Sequence, residues 1–217
     1  MAKRPGAVRH PPRVCEDPQE GHPELVDDES WTDLVVRGDY SMQSAAGVEW
    51  VSCRFDHATL TGVSLQQARI IDCVFVDSEL SGMALEDATL TRVEFRTCRM
   101  SGFQVPGAQA RDAGFLDCRL DGANLRMSRW ERCDWERCDL RDADLYGANA
   151  PAARLVGCDL RSALISKADL AGARLTGSNL EGVRGGDTLR GVVISSDQLI
   201  PTALAVFAAM EIVVDDG

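Results

Sequence analysis

Residues 121–150 read DGANLRMSRWERCDWERCDLRDADLYGANA, with an uncharged residue at every fifth position. The same period of five extends in both directions, from Tyr40 to Leu180, and none of its positions is charged. A second series, mostly Ala, Cys, Ser or Val, lies two residues before each member. Charged residues and glycines fall almost entirely between the two series. The chain therefore carries two regular apolar columns over about two thirds of its length.

Neither an α-helix nor a flat strand explains a period of five. In an α-helix five residues turn the chain by about 500°, so the column would wander round the helix. In a flat strand side chains alternate between the two faces, so a spacing of five would send half of the column outward. The residues share one interior only if the chain turns a corner every five residues. Four corners close a square coil of about twenty residues, and coils stack by parallel backbone pairing about 4.8 Å apart.

A twenty-residue coil predicts that identical side chains recur at a spacing of twenty, because each residue lies on its counterpart in the next coil. The sequence contains such ladders. They predict an all-β fold, a quadrilateral parallel β-helix of about seven coils. The ladder residues are Phe55, Phe75, Phe95 and Phe115, followed by Trp135; Cys98, Cys118, Cys138 and Cys158; and Gly62, Gly82, Gly102 and Gly122.

Several five-residue units carry a recognisable motif. Ala123-Asn124-Leu125, Ala143-Asp144-Leu145 and Ala168-Asp169-Leu170 resemble the A(D/N)LXX motif of the pentapeptide repeat family. The resemblance covers some 140 residues and implies a right-handed quadrilateral β-helix. The motif consists of packing and turn residues, so it implies a fold rather than a chemistry. Some members of the family mimic duplex DNA, bind DNA gyrase and protect it from quinolones.

The ends of the chain depart from the period. Residues 1–23 are rich in proline and charge and are predicted to be a disordered tail. Residues 24–39 are predicted to form an N-terminal cap in which Trp31 and Leu34 cover the open end of the coils. Residues 40–182 form the repeat domain. The register continues without a gap through 101–107, so no long loop is expected there.

Residues 183–217 are predicted to form a C-terminal cap with a short helix. Ser195 or Ser196 can cap this helix, and Pro201 suits its first turn. The helix is apolar nearly all round, so one face can close the coils while the other stays uncovered. In related proteins a C-terminal helix joins two solenoids. Two roles therefore remain open for Leu204, Phe207 and Met210, a homodimer interface or a cap, and residues 211–214 are suited to an added strand.

Eight cysteines suggest disulfides or a metal site, but their positions indicate another role. Seven of the eight occupy the small inward column, where a free thiol packs as a small apolar group. Stacked side chains point in parallel, which disfavours disulfides between coils. The chain has no signal sequence and no membrane-spanning run, so a cytoplasmic, reducing location is expected. No cofactor, metal or membrane is predicted.

The charge pattern bears on function. The chain carries a net charge of −11, but residues 40–180 hold 19 acidic and 16 basic residues, a net of only −3. Mixed signs on every face disfavour direct nucleic-acid binding. No phosphate loop, nucleophile elbow or metal-ligand spacing is present, so no enzyme is predicted. The predicted function is a non-enzymatic protein-interaction scaffold with an unknown partner. The alternative is a DNA-mimicking protein that binds DNA gyrase and confers quinolone-type resistance.

Overall fold

The computed structural model describes residues 8–212. Its regular structure is dominated by short parallel strands of three residues each, as expected for a chain that turns every five residues. In chain order, β1 to β17 are Gln19–Gly21, Ser30–Thr32, Leu34–Val36, Ser44–Ala46, Glu49–Val51, Arg54–Asp56, Ser64–Gln66, Arg69–Ile71, Val74–Val76, Ala84–Glu86, Thr89–Thr91, Glu94–Arg96, Gln109–Arg111, Gly114–Leu116, Arg129–Glu131, Asp134–Glu136 and Arg154–Val156.

The strands stack into the faces of a four-sided solenoid. One face is an eight-stranded sheet in the order β1-β3-β6-β9-β12-β14-β16-β17, a second has six strands and a third has three. Isolated bridges form the fourth face and connect residues twenty apart in an unbroken series. That series has seven steps of twenty residues each. It runs through Asp39, Thr59, Glu79, Arg99, Arg119, Asp139, Asp159 and Asn179.

Polar residues before the central leucines steady the corners. The Asp139 carboxylate accepts a hydrogen bond from the backbone N–H of Arg141 at 3.2 Å, and Asp144 accepts one from Tyr146 at 2.9 Å. Asp, Asn and Ser side chains that bond the backbone two residues later favour tight turns. These carboxylates are therefore turn residues of the repeat.

The interior of the solenoid is filled by the predicted ladders. Phe55, Phe75, Phe95 and Phe115 stack in sequence with ring centroids 4.3, 4.7 and 4.8 Å apart, and Trp135 continues the stack at 5.4 Å. Every member of this column is buried. Trp31 lies on Trp50 at 5.2 Å and extends the aromatic packing into the cap. Strands β2 and β3, on either side of Asp33, already pair in parallel with β5 and β6, at a spacing of 19 residues instead of twenty.

The predicted disordered tail over residues 1–23 is wrong for the part that the structure describes. Residues 1–7 lie outside the described residues, but 8–23 lie against the solenoid. Strand β1 pairs in parallel with β3, and the backbone of His10 and Arg13 binds solenoid carboxylates. Composition predicts disorder from a segment's inability to bury its own apolar surface. It does not register hydrogen-bond partners supplied by a distant part of the chain.

The C-terminal end changes from coils to helix. Two 3-10 turns, Gly186–Leu189 and Ser196–Gln198, lead into an α-helix, α1, at Leu199–Ala209. At Gly186 an added Cβ would lie 2.2 Å from the carbonyl oxygen of Ala205, so glycine permits α1 to approach the last coil. The expected strand over 211–214 lies partly outside the described residues.

Among the described residues no helix has the length and apolar character needed to cross a lipid bilayer.

Candidate interaction surfaces

Helix α1 turns most of its apolar side chains to solvent. Leu204, Phe207 and Met210 are 62%, 41% and 63% exposed, and Leu199 and Ile200 are more than half exposed as well. Ala205 is the buried residue of the helix. The sequence left two roles open for Leu204, Phe207 and Met210, a homodimer interface or a cap. Because their side chains face solvent, they do not cap the solenoid. These three residues form the outer surface of the C-terminal end.

The end of the solenoid is closed by a residue that the sequence pattern did not single out. Gln198 is buried, and its side-chain amide donates to the carbonyl oxygens of Leu175 at 2.7 Å and Ser178 at 2.5 Å. Its side-chain oxygen accepts from the Ser195 backbone at 2.8 Å, which forms the capping box of the preceding 3-10 turn. A buried carbonyl without a partner is costly, so Gln198 completes the last coil. The S-x-x-Q pattern at 195–198 is the signal that would have found it.

A groove separates α1 from the last coil. It encloses about 500 Å³ and is open to solvent. Its walls are largely apolar and small, and Pro201, Leu204 and Ala208 supply the helix side. The lining residues are Glu181, Gly182, Val183, Arg184, Gly185, Pro201, Leu204, Ala205, Ala208 and Ala209.

One corner of the eight-stranded face carries alternating carboxylates and guanidinium groups, one per coil. Arg92 binds Asp72 through two hydrogen bonds of 2.6 Å, and Arg132 binds Asp112 through two of 2.8 and 2.9 Å. The Asp72 and Asp112 residues are buried, at 8% and 3% exposure. Burial acts to raise the pKa of Asp112, but the hydrogen bonds from Arg132 and His10 hold that pKa well below its ordinary value. Asp112 is therefore an ionised, preorganised acceptor at neutral pH.

The N-terminal segment lies on these carboxylates. The backbone N–H of His10 donates to Asp112 at 3.0 Å, and that of Arg13 donates to Asp72 at 2.9 Å. The Arg9 guanidinium binds Glu94 at 3.1 Å and lies 3.8 Å from Asp134. We call residues 8–18 the strap. Because its carboxylate partners are 59 to 125 residues away, no local sequence pattern marks this contact.

The cysteine ladder serves as structure. Cys98, Cys118, Cys138 and Cys158 are free and buried, and the same column holds Ser78 and Ser178 at its two ends. Cys98 Sγ donates to the carbonyl oxygen of Arg96 at 3.3 Å, as Ser78 Oγ does to Val76 at 2.9 Å. Serine and cysteine therefore play one role here, a small side chain with one donor.

Cys133 lies outside this ladder and is not a reactive thiol. Burial raises the pKa of Cys133 to about 12, so that thiol stays protonated and unreactive. Over residues 8–212 there is also no group of three His, Cys, Asp or Glu side chains placed to hold a metal ion.

Square coils with stacked side chains define this protein as a parallel β-solenoid of five-residue units. Sequence comparison identifies the family. Residues 48–125 match the Pentapeptide repeat region, and residues 107–151 and 152–184 match Pentapeptide repeats (8 copies). The chain therefore belongs to the pentapeptide repeat family. No curated protein matches its sequence at a significant level.

Solved structures of similar proteins include two of known description. QnrB1, a plasmid-mediated fluoroquinolone resistance protein, is 19% identical, and the match covers 88% of this chain and 99% of QnrB1 with a TM-score of 0.37. HetL, a pentapeptide repeat protein involved in heterocyst differentiation regulation from the cyanobacterium Nostoc sp. strain PCC 7120, is 20% identical over 78% of this chain and 84% of HetL, with a TM-score of 0.35. Similarity at this level carries no argument about function.

Proposed function

We propose that this protein is a non-enzymatic protein-interaction scaffold that acts as a homodimer joined through the outer face of α1. The uncovered apolar surface of α1 carries the proposal. Large exposed apolar side chains are scattered singly along the solenoid, for example Met42 and Met127, but they are concentrated between Leu199 and Ile212. A contiguous apolar patch on an otherwise polar surface is typical of a protein-protein contact.

A second copy of the chain is the occupant that suits this surface. Residues 199–210 contain no charged side chain, so two copies can approach here without the repulsion that a net charge of −11 imposes elsewhere. In a two-fold interface each partner presents the same patch. Phe207 is not part of the groove between α1 and the last coil, which is lined on the helix side by Leu204 and Ala208 and is large enough for an aromatic ring. We infer that Phe207 of each copy enters the groove of the other.

In sedimentation equilibrium at micromolar concentration we expect a mass twice the 23.6 kDa of one chain. Phe207→Asp should dissociate the dimer, because two desolvated carboxylates would face an apolar groove. Met127→Asp is the matched control. Met127 is 66% exposed on the solenoid, so this change adds the same charge away from α1 and should leave the dimer intact. A wild-type protein of 23.6 kDa at 100 µM would contradict the proposal.

DNA gyrase is the second candidate partner. It is favoured by the A(D/N)LXX resemblance and the acidic net charge, and a DNA mimic needs rows of unpaired carboxylates. Here many solenoid carboxylates are paired with arginines, for example Asp117 with Arg137 at 2.7 Å and Asp159 with Arg161 at 2.6 Å. The paired surface favours the scaffold over the mimic.

A supercoiling assay with gyrase separates the two functions. We expect no inhibition and no protection from ciprofloxacin at protein concentrations up to 10 µM. Either effect, weakened by Asp→Asn changes on one face, would establish the gyrase function instead.

A further inference from the structure

The strap runs along the axis of the solenoid, across the coils rather than with them. Arg9 lies between Glu94 and Asp134, His10 bonds Asp112 and Arg13 bonds Asp72. Beyond the strap, Gln19 of β1 pairs with Leu34. The bonds of the strap therefore join coils that are far apart in sequence.

The strap fits the spacing of the coils because of its two prolines. Pro11 and Pro12 favour the polyproline II conformation, which rises about 3.1 Å per residue, so His10 and Arg13 are about 9.3 Å apart. Asp112 and Asp72 are two coils apart, about 9.6 Å. The backbone N–H groups of His10 and Arg13 are therefore spaced like two carboxylates that lie two coils apart. The two intervening residues have no N–H group and need no acceptor.

The side chain of Arg9 occupies a separate recess on the same face of the solenoid. We call this recess, together with the carboxylates of Asp72 and Asp112, the strap site. At Gly114 an added Cβ would lie 2.7 Å from the guanidinium carbon of Arg9, so the missing side chain creates the space for it. Glu94 and Asp134 line the recess on either side. The guanidinium group of Arg9 does not satisfy all of its hydrogen-bond donors in this recess. Its Nη1 atom is buried with no hydrogen-bond partner among the described residues, and Asp134 is 3.8 Å away.

We propose that the strap site is a recognition surface for an extended Arg-X-Pro-Pro segment of a partner protein, and that the strap is its resident, displaceable occupant. The solenoid supplies the acceptors by itself, because Arg92 and Arg132 hold Asp72 and Asp112 in place without the strap. Such preorganised acceptors bind an incoming peptide with little ordering cost. The imperfect contact of Arg9 leaves room for a better ligand. The strap site is remote from α1, so it operates in a monomer or a dimer.

The test uses full-length protein and a fluorescent peptide with the sequence of residues 8–14, VRHPPRV. The double change His10→Pro and Arg13→Pro removes both N–H donors and should release the strap. We expect this variant to bind the peptide at least tenfold more tightly than wild type, by fluorescence anisotropy. The double change His10→Ala and Arg13→Ala keeps the N–H groups and is the matched control, with binding close to that of wild type.

Two further reagents define the site. A peptide with proline at the positions of His10 and Arg13 should fail to bind. Adding Gly114→Val to the released variant should abolish binding, because the valine side chain would occupy the recess of Arg9. The equivalent position two strands away in the same sheet is Val74, so a valine is accepted at this place in a strand, and circular dichroism would verify the fold.

Absence of binding to the released variant at 500 µM peptide would overturn the proposal and reduce the strap to a structural element. Equal binding by wild type and released variant, or binding that survives Gly114→Val, would also overturn it.

Discussion

Replacing Phe95 with alanine is expected to lower the free energy of unfolding by about 3–5 kcal/mol, the range for truncation of a buried aromatic ring. Phe95 is 1% exposed and stacks between Phe75 and Phe115 at centroid distances of 4.7 and 4.8 Å. In a solenoid each coil contacts only its neighbours. The cavity cannot be filled from elsewhere, and two coil interfaces are weakened at once.

Urea unfolding followed by tryptophan fluorescence measures this effect as a lower midpoint. Phe207→Ala is the control, because Phe207 is 41% exposed on α1 and its truncation leaves no internal cavity. That variant is measured at a concentration low enough to keep every sample monomeric. A Phe95→Ala midpoint equal to that of Phe207→Ala would show that the phenylalanine column does not support the fold.

Asp112→Asn is expected to cost about 2 kcal/mol or more at pH 7, since it removes the buried carboxylate that binds the Arg132 guanidinium. The remaining carboxylate partner of Arg132 is Glu131, whose side chain is 49% exposed. The substitution preserves shape and suits the left-handed backbone at this corner, where φ is 57°. Asp117→Asn is the matched control. Asp117 has the same corner position and bonds Arg137 in the same two-point geometry at 2.7 and 2.9 Å, but its side chain is 40% exposed. Solvent screening should leave that variant close to wild type.

The ion pair between Asp112 and Arg132 also determines how the stability of the protein changes with pH. The folded-state pKa of Asp112 lies below its unfolded value of about 3.9, so the stabilisation is complete above that pH and is lost as pH falls toward the folded pKa. At pH 3 the difference between wild type and Asp112→Asn should be about 1 kcal/mol smaller than at pH 7. A difference that stays constant, or grows in acid, would show that Asp112 acts by shape rather than by charge.

The repeat domain was predictable because its information is local and periodic. Central residues such as Leu125 and small residues such as Ala123 point inward because the chain turns every five residues, and both series can be read without a structure. The spacing of twenty then sets the register, as in the pairing of Phe75 with Phe95. The occurrence of serine at position 78 and cysteine at position 98 of one column likewise follows from stacking, because both are small side chains at equivalent positions.

The interaction surfaces were predictable only in part. The apolar character of Leu204 and Phe207 is visible in the sequence, but their outward orientation depends on Gln198 closing the last coil in their place. The strap was not predictable. Its two N–H donors meet carboxylates two coils apart, and that coincidence exists only after the solenoid has formed.

Small-angle X-ray scattering tests directly whether two chains join end to end through α1. Seven coils at about 4.8 Å form a rod of about 34 Å, and α1 lies at one end of it. Two chains joined through α1 should therefore scatter as an end-to-end rod with a maximum dimension close to twice that of the Phe207→Asp monomer. A wild-type particle with the maximum dimension of the monomer, or a dimer that is wider but no longer, would contradict the account.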